Sequence, residues 1–110
     1  MEVTSPDRFE AKRLELQKLL EELLGSRNVY FQPPSTIKMQ YPCIRYGIDR
    51  FAEHRADNIL YHDRTGYEVT YIDPYPNLVV PDKIHRLPLC RFVRPYVADN
   101  LNHYAYLLYF

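Results

Sequence analysis

The chain predicts an α+β domain: an amphipathic N-terminal helix packed on a mainly antiparallel sheet of about four to five strands, with a short second helix and an extended charged arm. Three observations predict it. Leucines recur at helical spacing near the start, short aromatic and branched runs bounded by Pro, Gly, Asn and Asp follow, and the final stretch reads as two strands around a reversal. At 110 residues the chain suits one hydrophobic core, so 1–110 is expected to be a single domain.

Ser5-Pro6 opens the first element, because Ser caps a helix and Pro fits its first position, and Asp7 and Glu10 lie where the helix dipole favours negative charge. A helix is expected from Pro6 to Leu24. Phe9, Leu16, Leu19, Leu20, Leu23 and Leu24 form its apolar stripe, and Lys12, Arg13, Gln17, Lys18, Glu21 and Glu22 fill most of the rest. Gly25 ends it, in the place where a left-handed residue is wanted.

Val29-Tyr30-Phe31 reads as a short strand, stopped by Gln32-Pro33-Pro34. Tyr41 to Ile48 is apolar enough for a second, internal strand. Between Asp49 and Arg64 the composition turns densely charged, which marks the arm. Tyr67 to Asp73 alternates Tyr67, Val69 and Tyr71 with Glu68 and Thr70, so a strand with one wetter face is expected. Pro81 to Leu87 suits a short helix ahead of Pro88. Two strands close the chain, LCRFVRPYV and LNHYAYLLYF, with Asp99 and Asn100 building the turn between them and Asn102 assigned to it. In the last strand Tyr104, Tyr106, Leu108 and Phe110 face one way and Ala105, Leu107 and Tyr109 the other. Both faces are apolar, so this strand should be central and covered on both sides.

Lys plus Arg and Asp plus Glu number 14 each, so no global field recruits a polyanion or an anionic membrane. Eleven tyrosines supply amphipathic rings of the kind enriched at protein interfaces, and self-association is expected. Cys43 and Cys90 stand far apart, outside metal-ligand spacing, and read as buried thiols. No apolar run is long enough to cross a bilayer, and MEVTSPDRFE lacks a signal-peptide core, so a start in a cytoplasm is expected. His54, His62, His85 and His103 have neither zincin nor finger spacing. With no P-loop, GxSxG or GxGxxG, neither an enzyme nor a cofactor is expected.

Nucleic-acid binding is the alternative. Arg45, Arg50, Arg55 and Arg64 interleave with Tyr41, Tyr46, Phe51 and Tyr61, and Arg91, Arg94 and Tyr96 form a second cluster, as a stacking platform with phosphate contacts requires. Asp49, Glu53, Asp57 and Asp63 cancel the field in the first segment, and interleaved opposite charges suit a protein surface better.

The leucine-rich helix running into Asn28-Val29-Tyr30-Phe31-Gln32-Pro33-Pro34 begins a longer pattern. It continues through Lys38-Met39-Gln40-Tyr41-Pro42-Cys43-Ile44, Ala56-Asp57-Asn58, Tyr67-Glu68-Val69-Thr70-Tyr71-Ile72-Asp73, Pro81-Asp82-Lys83 and Ala98-Asp99-Asn100-Leu101-Asn102-His103. Across nearly the whole chain this resembles the tail-completion or tail-terminator proteins of tailed bacteriophages, which cap the head-proximal end of the tail tube. The resemblance implies a virion protein of the neck, assembled in the host cytoplasm into a ring, with a hexamer the expected count. Its implied partners are other copies of itself, the tail tube protein and the head-closure or connector protein, with DNA passing through the ring lumen. Asp49, Arg50, Glu53, Arg55, Asp57 and Arg64 of the arm are the candidate interface, because complementary charge fixes the register of a heterologous contact.

Overall fold

The structure is a computed structural model and describes residues 8–50 and 64–110. In chain order the elements are α1 (Arg8–Leu24), β1 (Val29–Phe31), β2 (Cys43–Arg50), β3 (Gly66–Asp73), α2 (Val79–His85), β4 (Cys90–Ala98) and β5 (Leu101–Tyr109). The five strands form one sheet in the order β1-β2-β3-β5-β4, which makes the fold α+β as expected. Only the β1–β2 pair is parallel, and residues 32–42 carry the chain back to the start of β2 as a parallel pair requires. The other pairs are antiparallel.

The leucine stripe positions α1 as predicted. Leu16 and Leu20 are fully buried, while Phe9, Leu19, Leu23 and Leu24 pack around them. Gly25 adopts φ +86° and its N–H donates to the Glu21 carbonyl at 2.8 Å, closing the helix with a left-handed residue. The expected cap at Ser5-Pro6 lies outside the described residues.

A polar latch adds to the packing. The Tyr46 hydroxyl of β2 donates to Gln17 Oε1 at 2.6 Å and accepts from Arg13 at 3.1 Å. Gln17 Nε2 donates to the Val29 carbonyl of β1 at 3.0 Å, and Arg13 lies over the Phe31 ring. Arg13 also holds Glu10 with two hydrogen bonds, which lowers the Glu10 carboxyl below its usual range and raises Arg13. One tyrosine therefore fixes α1 against two strands at once.

Register explains which side chains meet α1 and α2. Ile44, Tyr46 and Ile48 of β2 stand beside Tyr71, Val69 and Tyr67 of β3, and those stand beside Tyr104, Tyr106 and Leu108 of β5. This row is the core face. On the opposite face Cys43, Ile72 and His103 align, and all three are buried.

The wetter face expected of β3 is not found. Glu68 is exposed, but Thr70 and Ile72 are buried with the rest of the strand. The reason is position: β3 is the middle strand, and Thr70 stands between Arg45 of β2 and Ala105 of β5, whereas Glu68 has Gly47, with no side chain, as its β2 neighbour. The inner position expected for the last strand does hold, with β5 between β3 and β4. Ala105, Leu107 and Leu108 are buried in it.

Asp99 and Asn100 both take positive φ, 54° and 61°, between the paired residues Ala98 and Leu101. That is the two-residue hairpin turn whose twist matches the strands. Asn102 has a different role from the one assigned: it stands in β5, and its side-chain amide donates to the carbonyls of Asp73 and Pro74. It ties the loop after β3 to the last strand.

Candidate functional site

The outer strand β4 gives the sheet an apolar rim. It pairs with β5 alone, and most of its side chains are exposed on both faces. Phe92 is 40% exposed, Val93 49% and Val97 69%. A register shift at Val93 makes a bulge, and Pro95 follows two residues later without an N–H to donate. Together they mark β4 as an edge that resists addition of a further strand.

Next to that edge lies an open groove of about 370 Å³ between α2 and the β4–β5 pair. Leu78, Pro81, Phe92, Pro95, Tyr104 and Tyr106 form most of its wall, and Asp82 and His85 supply its polar margin. Asn77 positions α2 by accepting the Val79 N–H at its side-chain oxygen, 2.9 Å away. Leu78 and Val79 remain largely exposed as the helix begins. Asp82 forms an ion pair with Arg86 at 3.0 Å, one turn on. Tyr106 joins the two walls, its hydroxyl donating to the Pro81 carbonyl at 2.9 Å. Burial pushes that phenol up to about 12, so it stays a neutral donor.

What this surface can do chemically is bind apolar side chains. Contiguous exposed apolar area beside polar margins is the signature of an interaction site.

The charged residues chosen from the sequence gather elsewhere. Asp49 is exposed near the end of β2, and Arg50 closes that strand with its backbone opposite Gly66 of β3. Arg64, half buried before β3, lines a smaller cavity of about 180 Å³ with Leu19, Leu87 and Phe110. These three mark the root of the arm at one end of the β2–β3 pair. Glu53, Arg55 and Asp57 lie outside the described residues.

Of the first arginine-tyrosine cluster, Phe51, Arg55 and Tyr61 lie outside the described residues. Tyr46 is in the core, on the opposite side of β2 from Arg45, and cannot stack on a base. Tyr96 stacks on His103 with 4.5 Å between ring centroids, and the Arg94 guanidinium lies 4.7 Å from the same ring. His103 is buried and its Nδ1 lies 2.9 Å from the Leu101 carbonyl, a structural role.

Cys43 is fully buried and Cys90 half buried, and neither forms a disulfide. Burial pushes their thiols up to about 12 and about 11. Among the described residues no three His, Cys, Asp or Glu side chains come together as a metal cluster would need. No described helix is long and apolar enough to cross a membrane.

The groove was missed in the sequence because Leu89 to Val97 reads as an ordinary apolar strand. Pro95 was the available signal, since a proline inside a strand confines it to an edge or a bulge. No family model, curated protein or solved structure matches the chain.

Proposed function

We propose that the chain is a structural protein of a tailed-phage neck, which assembles with copies of itself into a ring on the head-proximal end of the tail tube and joins tail to head. Its action is assembly rather than catalysis. The observation that carries this is the apolar rim: Leu78 and Phe92 are exposed in the groove wall, and Val79 of α2 and Val93 and Val97 of β4 are exposed on the same two elements. A monomer gains nothing from leaving such side chains in water, whereas a subunit that docks through them does. Asp49 and Arg64, at the root of the arm, add a second, charged surface suited to fixing register. A lumen through which DNA passes belongs to the same proposal.

Arg94, Tyr96 and His103 favour a second reading, a small nucleic-acid-binding module. Against it, both the arginine and the histidine engage the Tyr96 ring within the chain, so the aromatic face is already occupied.

Imaging tails made without this protein tests the proposal. Overlong, headless tubes are expected of a terminator. Normal-length tails that fail to join heads would assign it to the connector position instead, and normal, joined tails would overturn the neck role.

A further inference from the structure

We propose that the Gln32 side chain is a plug on the outer edge of β2, holding that edge closed to strand addition by a second copy of the chain, a device that does not depend on the neck role.

The neighbour of β2 on that edge is short. β1 pairs with Ile44, Arg45 and Tyr46 alone, whereas β2 runs on to Arg50. Along β2 the outward backbone groups belong to every second residue: the Ile44 N–H donates to the Asn28 carbonyl at 2.9 Å, the Tyr46 carbonyl accepts the Gln32 N–H at 2.8 Å, and the Ile48 N–H comes next. One more step of the parallel ladder would pair that N–H with the Gln32 backbone carbonyl, and the Ile48 carbonyl with the N–H of residue 34. The chain does not take it. Gln32 turns at φ +43°, and Pro33 and Pro34 have no N–H.

Gln32 completes half of that step with its side chain. Its Oε1 accepts the Ile48 N–H at 2.9 Å, where a backbone carbonyl would otherwise stand. Gly47 leaves room for it, since a Cβ there would lie 3.0 Å from Gln32 Cγ. Positive φ crowds the Cβ of any residue but glycine, and glutamine seldom adopts it. A turned backbone, an acceptor on an edge N–H and a glycine clearing its path are three separate features that serve one contact.

An open sheet edge invites pairing with another chain unless something blocks it. At the far side of the sheet the bulge at Val93 and Pro95 of β4 do so. Past Phe31 on this side, the Ile48 N–H is closed by one glutamine. An incoming strand needs that N–H and must displace the Gln32 amide. Without the plug every copy carries the same free edge, and two such edges can pair antiparallel about a two-fold axis.

Gln32→Gly and Gln32→Glu in the full chain test the plug, with circular dichroism confirming the fold of each. Glycine suits the positive φ and removes the side chain, while glutamate keeps an acceptor at the same reach. In dilute solution the Ile48 amide should exchange with solvent about tenfold faster in Gln32→Gly than in the wild type, with Ile44 and Tyr46 unchanged. On concentration, sedimentation velocity should show the species formed by the wild type paired in Gln32→Gly, and the Ile48 amide should become protected again. Gln32→Glu should match the wild type in both measurements. Equal Ile48 exchange in the wild type and Gln32→Gly would overturn the plug. Faster exchange with no pairing at any concentration would overturn its role in closing the edge, and a glutamate variant that behaves like the glycine one would show that the acceptor is not what closes it.

Discussion

The Phe92 ring lies 5.3 Å from the Tyr106 ring at 59°, the first partly exposed and the second buried. Tyr106 is held by the Pro81 carbonyl of α2, so the pair joins the outer strand to the short helix and shapes the groove floor. Replacing Phe92 removes the exposed member and leaves the buried one anchored. Phe92→Ser should lower monomer stability in urea by only about 1 kcal/mol, near the value of one aromatic pair. Assembly, measured by sedimentation, should be lost. A variant that assembles normally would remove the groove from the interface.

The latch between α1 and the sheet gives a prediction on stability. Tyr46→Phe deletes the hydroxyl that donates to Gln17 and accepts from Arg13, in a part-buried setting. The expected loss is about 1–2 kcal/mol in urea unfolding, since partners lose satisfied hydrogen bonds while the ring still packs. A loss below the error of the measurement would mean that Arg13 and Gln17 find replacements in water.

The final hairpin depends on two left-handed residues. At Asn100, with φ 61°, glycine should be tolerated or mildly stabilising, because the turn then has the preferred Asp-Gly pair. Valine should cost about 1–2 kcal/mol through its Cβ clash at positive φ. Thermal unfolding of the two variants should separate them in that order, and equal midpoints would contradict the turn assignment.

High pH should unfold the protein through its tyrosines and thiols. Burial pushes Tyr67 and Tyr106 up to about 12, and also raises Tyr46 and Tyr71, the last with the added effect of its hydrogen bond to Asp73. A phenol in the unfolded chain titrates near about 10 and a thiol near about 8.5. Between those unfolded values and about 12 the folded state therefore holds more protons, and its stability, complete below the unfolded values, falls as pH rises through about 12. Phenolate absorbance and circular dichroism followed together should show the buried phenols ionising only as the fold is lost. Ionisation of every tyrosine with the fold intact would contradict the packing.

How much of this was legible follows from where each signal lies. The stripe of Leu16 and Leu20, the stop at Gly25 and the turn at Asp99-Asn100 are local, set by side-chain spacing and backbone preference, and all three stand where the sequence places them. The burial of Thr70 could not be read, because it depends on Arg45 and Ala105, which register brings alongside from distant parts of the chain. Asn102 was assigned to the turn beside it, whereas its partners are the carbonyls of Asp73 and Pro74. The groove was hidden for a similar reason: it forms only when α2 packs against β4 and β5, and the apolar character of Phe92 and Val97 pointed to burial. The arm was chosen for its charge, and the residues at its root lie apart from the apolar rim.

The most direct measurement is native mass of the full chain over a range of concentrations, alone and with tail tubes added. A closed oligomer, formed by the chain itself or on the tubes, is the expected result. A species that remains monomeric in both conditions and instead binds oligonucleotides with steep salt dependence would contradict it.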